Sequence, residues 1–151
     1  MTDEALMREA LEEARRAAAY GEVPVGCVVV HEGRIIARAH DRRETLEDPT
    51  AHAEILAVRE AARFLGSWRL EGCTIVVTVE PCAMCAGAIV LARIARLVYG
   101  AESPKSGAVR SLFRICEDPR LNHRVEVVPG VLAEEAASLL QAFFGGLRRP
   151  R

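Results

Sequence analysis

The sequence predicts an α/β fold in which a mixed sheet is covered by helices on both faces. Three observations carry this expectation. Segments with apolar residues at helical spacing alternate along the chain with short β-branched runs. Two of those runs, in "VPVGCVVVHEGRIIARA", meet at Glu32-Gly33, a tight-turn pair that makes them a hairpin. A third, "CTIVVTV", is continuously apolar, as a strand buried on both faces must be. The 151 residues, half of them apolar, suffice for one domain with a real core, and 1–151 is read as a single domain.

Each element has its own signal. Leu6, Ala10, Leu11, Ala14, Ala17 and Ala18 recur at helical spacing between the cap Thr2 and the stop Gly21, which predicts an opening amphipathic helix. The hairpin follows. Asp48-Pro49 reads as a cap with proline at the first helical position, opening a second helix to about Phe64 that Gly66 closes. After the buried strand, Glu80-Pro81 starts a third helix running to about Ala92. "ARLVYGA" gives a further strand, "ESPKSGAVRS" a loop, the vicinity of Leu112 a short helix, "HRVEVV" a last strand, and Ala133 to Phe144 a closing helix.

Composition excludes several classes. No stretch approaches the roughly 18 uninterrupted apolar residues of a membrane span, and the acidic, helix-patterned N-terminus is unlike a targeting segment, so a cytoplasmic protein is expected. Five cysteines argue against a disulfide framework and leave metal binding or buried thiols. With a net charge of −1, any nucleic-acid contact has to come from a local basic patch.

The chemistry concentrates in two stretches. "TAHAEI" places His52 and Glu54 in the first turn of the second helix; "TVEPCAMCAG" places Cys82 and Cys85 three apart at the start of the third, with both sulfurs on one helical face. The positive end of a helix dipole favours the thiolate form that binds metal. One imidazole and two thiolates make three zinc ligands and leave the fourth tetrahedral position open, the arrangement of a catalytic site, where bound water becomes hydroxide near neutral pH. Glu54, two residues from His52, points off that stripe and can flank the metal as a proton carrier without ligating it. An isolated CxxC could instead be a redox pair. A closed structural site would need a fourth ligand from Cys27, Cys73, Cys116, His31, His40 or His123, none of which forms a second pair with ligand spacing. Cys27 and Cys73 lie in apolar strands and read as small core residues.

"HAE" followed by "PCAMC" resembles the zinc-dependent cytidine and nucleotide deaminase superfamily, whose signature this is. "EVPVGCVVVHEGRII", "DPTAHAEILAVREA", "KSGAVRSL" and "NHRVEVVPGVLAEEAASLLQAFF" are similar, more narrowly, to the bacterial tRNA-specific adenosine deaminase family over nearly the whole chain. The resemblance implies a three-layer α/β/α sandwich around a five-stranded mixed sheet, one zinc per subunit, a homodimer, and conversion of adenosine to inosine at the wobble position of a tRNA anticodon. It makes His52, Cys82 and Cys85 the zinc ligands and Glu54 the proton shuttle. It also sets Val23 and Pro24 beside the substrate pocket and Asp41 against the target nucleoside. Two positions depart from the family's habit: Asp41 stands where asparagine is usual, and Ser103 where an acidic residue is common. An ionised aspartate accepts hydrogen bonds but donates none.

Holding an extruded base calls for cations and stacking rings. Lys105, Arg110, Arg114, Arg120, Arg124, Arg148, Arg149 and Arg151 are concentrated in the last third, with Phe143 and Phe144 near the end. Read alone they are a solvated face and a helix core; the resemblance turns Phe144 and the terminal arginines toward RNA. Two other functions stay open at this point: a deaminase of free guanine, cytosine or a nucleotide sharing the zinc motifs, and a noncatalytic zinc-stapled RNA-binding module, against which Glu54 speaks.

Overall fold

The computed structural model of the chain describes residues 1–147. Its elements run α1 (Asp3–Ala19), β1 (Gly26–His31), β2 (Arg34–His40), α2 (Arg43–Leu46), α3 (Ala53–Leu65), β3 (Thr74–Val79), α4 (Ala83–Leu91), β4 (Arg96–Ala101), a 3-10 turn (Ile115–Glu117), β5 (Glu126–Val128) and α5 (Ala133–Leu147). The five strands lie in the order β2-β1-β3-β4-β5. Pairing is antiparallel on both sides of β1 and parallel from β3 to β5, the mixed sheet that the sequence predicts.

Alternation along the strands makes the three layers. Val28, Val76 and Val98 face the α1 stripe of Leu6, Met7, Ala10 and Leu11, together with Ala136 of α5. Their neighbours Cys27, Val29, Ile75, Val77, Leu97 and Tyr99 face Ala57 and Ala61 of α3 and Ala86 and Ile89 of α4. The layer of α3 and α4 is the one that carries the ligand-type residues. Close approach of α1 to the sheet needs Gly26, where any Cβ would collide with the backbone at Ala10 and Ala14. The hairpin turns at Glu32 (φ 51°) and Gly33 (φ 75°), both left-handed as a two-residue turn matched to strand twist requires.

Several expectations shift: the last strand, expected from His123, pairs only over Glu126–Val128. The second long helix begins at Ala53, not at Asp48-Pro49. Asp48 instead closes a local turn, its Oδ1 accepting from the N–H (2.8 Å) and hydroxyl (2.7 Å) of Thr50. The third begins at Ala83 rather than at Pro81, because Cys82 is still extended and bridged to Gly107, and Pro81 O accepts from Ala108 N–H at 2.9 Å. No helix forms around Leu112; the backbone N–H groups of Val109, Arg110 and Ser111 go to the Glu80 carboxylate, and a single 3-10 turn appears later, at Ile115–Glu117. The short α2 was not expected from the sequence.

Candidate metal centre and active site

These shifts put His52 at the N-cap of α3 and Cys82 at the N-cap of α4, with Cys85 in the first turn of α4. Neither cap residue spends its side chain on its own helix, so imidazole and thiol are left to face one another. Nδ1 of His52 lies 3.6 Å from Sγ of Cys82 and 3.5 Å from Sγ of Cys85. A tetrahedral ion with ordinary zinc–sulfur and zinc–nitrogen bond lengths would hold such atoms about 3.6 Å apart. All three donor atoms fall within 4.8 Å of one another, and among the described residues no fourth His, Cys, Asp or Glu joins the group. The donor set and its spacing therefore fit a zinc ion with one position free for a non-protein ligand.

The electrostatics match. A hydrogen bond from the Cys85 thiol, with His52 alongside, brings Cys82 down to about 3. The same bond and burial push Cys85 up. Hydrogen bonding to Cys82 raises His52. Cys82 is thus already a thiolate at neutral pH, whereas the Cys85 thiol keeps a proton that a bound cation would displace, so metal uptake releases it.

Glu54, in the first turn of α3, is 4% exposed. Burial, then the negative Asp41 nearby, pushes its carboxyl up to about 7, the range in which a group can both take and give a proton under physiological conditions. Asp41, from the end of β2, is also buried; its Oδ1 accepts from Ala53 N–H at 2.7 Å and so caps α3 in place of His52. Its Oδ2 lies 3.8 Å from a guanidinium nitrogen of Arg43, and burial holds its carboxyl above the usual range. Capping needs only an acceptor, which aspartate and asparagine share, so the departure at this position leaves the scaffold intact.

A cavity of about 260 Å³ opens over these groups. His52, Glu54 and Cys82 line it together with Val23, Asp41, Ser103 and Phe144, while Pro24 is buried and does not line it. Arg43, Glu80, Ser106 and Leu140 also line it and were not foreseen. Two buried carboxylates hold the walls. Glu22 accepts from Glu44 N–H (3.1 Å) and from Thr45 N–H and hydroxyl (both 2.6 Å), which caps α2 and fixes Arg43. Glu80 accepts from the N–H groups of Ser103, Val109, Arg110 and Ser111 and from the Ser111 hydroxyl, which straps the loop after β4 to the strand end preceding Cys82. For both, burial alone would raise the pKa, but these donors outweigh it and hold the carboxyl below the usual range.

The predicted RNA-facing cations fare unevenly. Arg110 is bound by Glu117 through two nitrogens at 3.0 Å, Arg120 is paired with Asp118, and Arg124 is directed at Pro119 O. Lys105 and Arg114 carry no ion pair among the described residues. Arg148, Arg149 and Arg151 lie outside the described residues. Phe144, 41% exposed, meets Phe143 edge to face at 5.4 Å.

Comparison with known proteins gives the arrangement its context. The family model for the cytidine and deoxycytidylate deaminase zinc-binding region matches residues 1–101. The tRNA-specific adenosine deaminase of Bacillus subtilis is 52% identical over 149 residues, covering 99% of this chain and 92% of that one. That of Aquifex aeolicus is 51% identical over 150 residues, covering 98% and 97%. A solved structure from work on A-to-I editing by tRNA:A34 deaminases at the wobble position of transfer RNA superposes with a TM-score of 0.87 at 48% identity, over 90% of this chain and 99% of that one. A guanine deaminase from Nitrosomonas europaea is more distant, with a TM-score of 0.79 at 29% identity over 94% and 84%. With its HAE and PCAMC motifs folded into one three-donor site, the chain belongs to the zinc-binding deaminase family and, within it, to the tRNA-specific adenosine deaminases.

Proposed function

We propose that the enzyme hydrolyses adenosine to inosine and ammonia at the wobble position of a tRNA anticodon, with His52, Cys82 and Cys85 holding its zinc and Glu54 moving the protons. The observation that carries this reading is the nitrogen–sulfur spacing of 3.5 and 3.6 Å beside a buried carboxyl poised at about 7. Zinc, when bound, supplies Lewis-acid activation of water at neutral pH. Glu54 takes a proton from the attacking water and delivers protons to the purine ring nitrogen and to the departing amine. The water oxygen ends on the ring carbon that carried the amino group, and that carbon–nitrogen bond breaks. Val23 and Phe144 offer apolar surface to the flipped base, and Arg43 keeps Asp41 turned into the wall. At about 260 Å³ the cavity sits below the range for drug-sized ligands, a scale suited to one extruded nucleobase.

The tRNA substrate is supported by relatives about half identical over almost the full length, against 29% for the guanine deaminase. We take residues 1–151 to act as one deaminase unit, as a homodimer, in the cytoplasm. Met84 and Leu91, seven apart on one face of α4, are 37% and 70% exposed and offer a second copy an apolar stripe. None of the five cysteines is in a disulfide, as expected of a reducing compartment, and no helix among the described residues is long and apolar enough to cross a membrane.

Purified protein incubated with tRNA carrying an unmodified wobble adenosine, beside free guanine and cytosine, tests the substrate: inosine in the tRNA is expected, and deamination of guanine with none of tRNA would overturn it. Glu54→Ala is expected to lower turnover at least about 10²-fold with zinc content unchanged. Tight tRNA binding with no turnover by the zinc-loaded wild type would make the protein a binding module instead.

A further inference from the structure

A larger concavity, about 690 Å³, lies on the outer side of the β2 end, against about 260 Å³ for the cavity over the metal centre. The two share a wall. Along residues 40–43 the chain alternates, His40 and Arg42 lining the outer cleft, Asp41 and Arg43 the inner cavity. Across the outer cleft α3 presents Arg59 and Arg63, both exposed. Arg42, Arg59 and Arg63 have no carboxylate partner within ion-pair distance among the described residues, whereas Arg38 in the same cleft is held by Glu9. Of the cleft's acidic groups, Glu13 is already engaged by Arg16 at 3.0 Å and Glu60 alone stands against Arg42, Arg59 and Arg63, so the free charge is net positive. At its rim Tyr20, 74% exposed, stacks on His40 with centroids 6.1 Å apart and planes 12° from parallel.

Unpaired guanidinium groups beside an exposed ring platform are what single-stranded RNA requires: cations for the phosphates and a flat face for a base. An acidic protein surface would use the arginines but has no need of the platform. We infer that this outer cleft binds the RNA strand flanking the target nucleotide, with phosphates on Arg42, Arg59 and Arg63 and a neighbouring base on the Tyr20–His40 platform. The strand crosses the ridge of residues 40–43 to deliver its base to the inner cavity. The inference rests on the RNA-deaminase reading above and extends it to the neighbouring nucleotides.

The test measures anisotropy binding of an anticodon stem–loop over about 50–200 mM salt, and deamination kinetics on the same RNA, for wild type, Arg59→Gln/Arg63→Gln, Tyr20→Ala and Tyr20→Phe. The double variant is expected to weaken binding and raise KM about tenfold with kcat changed less than about twofold, and to flatten the log–log salt slope by about 1.4, near 0.7 per lost single-strand phosphate contact. Tyr20→Ala should weaken binding about tenfold while Tyr20→Phe binds as wild type, since the stacking face and not the hydroxyl is used. An unchanged KM and salt slope in the double variant overturns the inference, as does equal loss in both tyrosine variants. Wild type that binds the stem–loop with the full salt slope but never deaminates it would instead sink the catalytic reading and leave the cleft standing.

Discussion

Asp41 offers a quantitative test of how the site is supported. It is 4% exposed, and its Oδ1 accepts the N–H of Ala53, itself wholly buried, at 2.7 Å. Asp41→Ala removes a helix cap, worth about 1 kcal/mol, and leaves a buried donor unpaired, worth about 1–3 kcal/mol. The two overlap, so a loss of about 2 kcal/mol is expected. With a urea slope of about 2 kcal/mol per molar, that lowers the unfolding midpoint by about 1 M. Asp41→Asn keeps the acceptor and removes both the buried charge and its 3.8 Å contact with the half-exposed Arg43; that contact is worth under about 1 kcal/mol and is outweighed by the burial penalty, so asparagine is expected to be at least as stable as wild type at neutral pH. The pH dependence then separates the variants. Burial raises the Asp41 pKa above 3.8, so the folded state binds that proton more tightly than the unfolded chain does. Wild type therefore loses stability relative to Asp41→Asn as pH rises from below 3.8 through the folded pKa, and the two converge in acid. Urea titrations of the zinc-free proteins, repeated from acid to neutral pH, read both effects. Alanine as stable as wild type, or asparagine falling with alanine, would refute the capping role.

Three further outcomes follow from the same geometry. Glu22→Gln should cost about 1–3 kcal/mol at neutral pH, because three donors hold the folded carboxyl below its ordinary value of 4.5; that stability is present above 4.5 and lost as pH falls, so chemical denaturation should show the gap closing in acid. Gly107→Ala drives a methyl group into the pinned Glu80 carboxylate and should lower stability by about 1–3 kcal/mol and raise KM for tRNA, whereas Gly145→Ala, with open space at its Cβ, should be neutral or slightly stabilising in thermal unfolding. Stripping zinc with a chelator should abolish deamination and lower Tm, both restored by added zinc in wild type and neither in Cys82→Ser/Cys85→Ser.

What the sequence revealed divides along a physical line. Elements specified by their own residues were legible: α1 from its stripe and its Thr2 cap, the hairpin from Glu32-Gly33, the central strands from continuous apolar runs. The ligand-type residues were legible because HAE and CxxC are local spacings. Helix starts failed where the cap comes from far along the chain, as Asp41 caps α3 and Glu22 caps α2. The pair Glu80-Pro81 looks like a helix opening but is a strand end whose carboxylate gathers a distant loop; a glutamate directly after an apolar strand is a buried charge, and that was the available signal. The arginines of the outer cleft come from β2, the segment after it and α3, so no window of sequence shows them together. Conversely, the conspicuous basic run near the end is partly neutralised by Glu117 and Asp118, which sit within a few residues of the arginines they hold.

Zinc K-edge absorption spectroscopy on the purified protein tests the central claim most directly. The account predicts two sulfur scatterers at about 2.3 Å, one imidazole nitrogen at about 2.0–2.1 Å and one exchangeable light atom, with one sulfur lost in Cys82→Ser. A shell closed by four protein ligands, or one without sulfur, would contradict it.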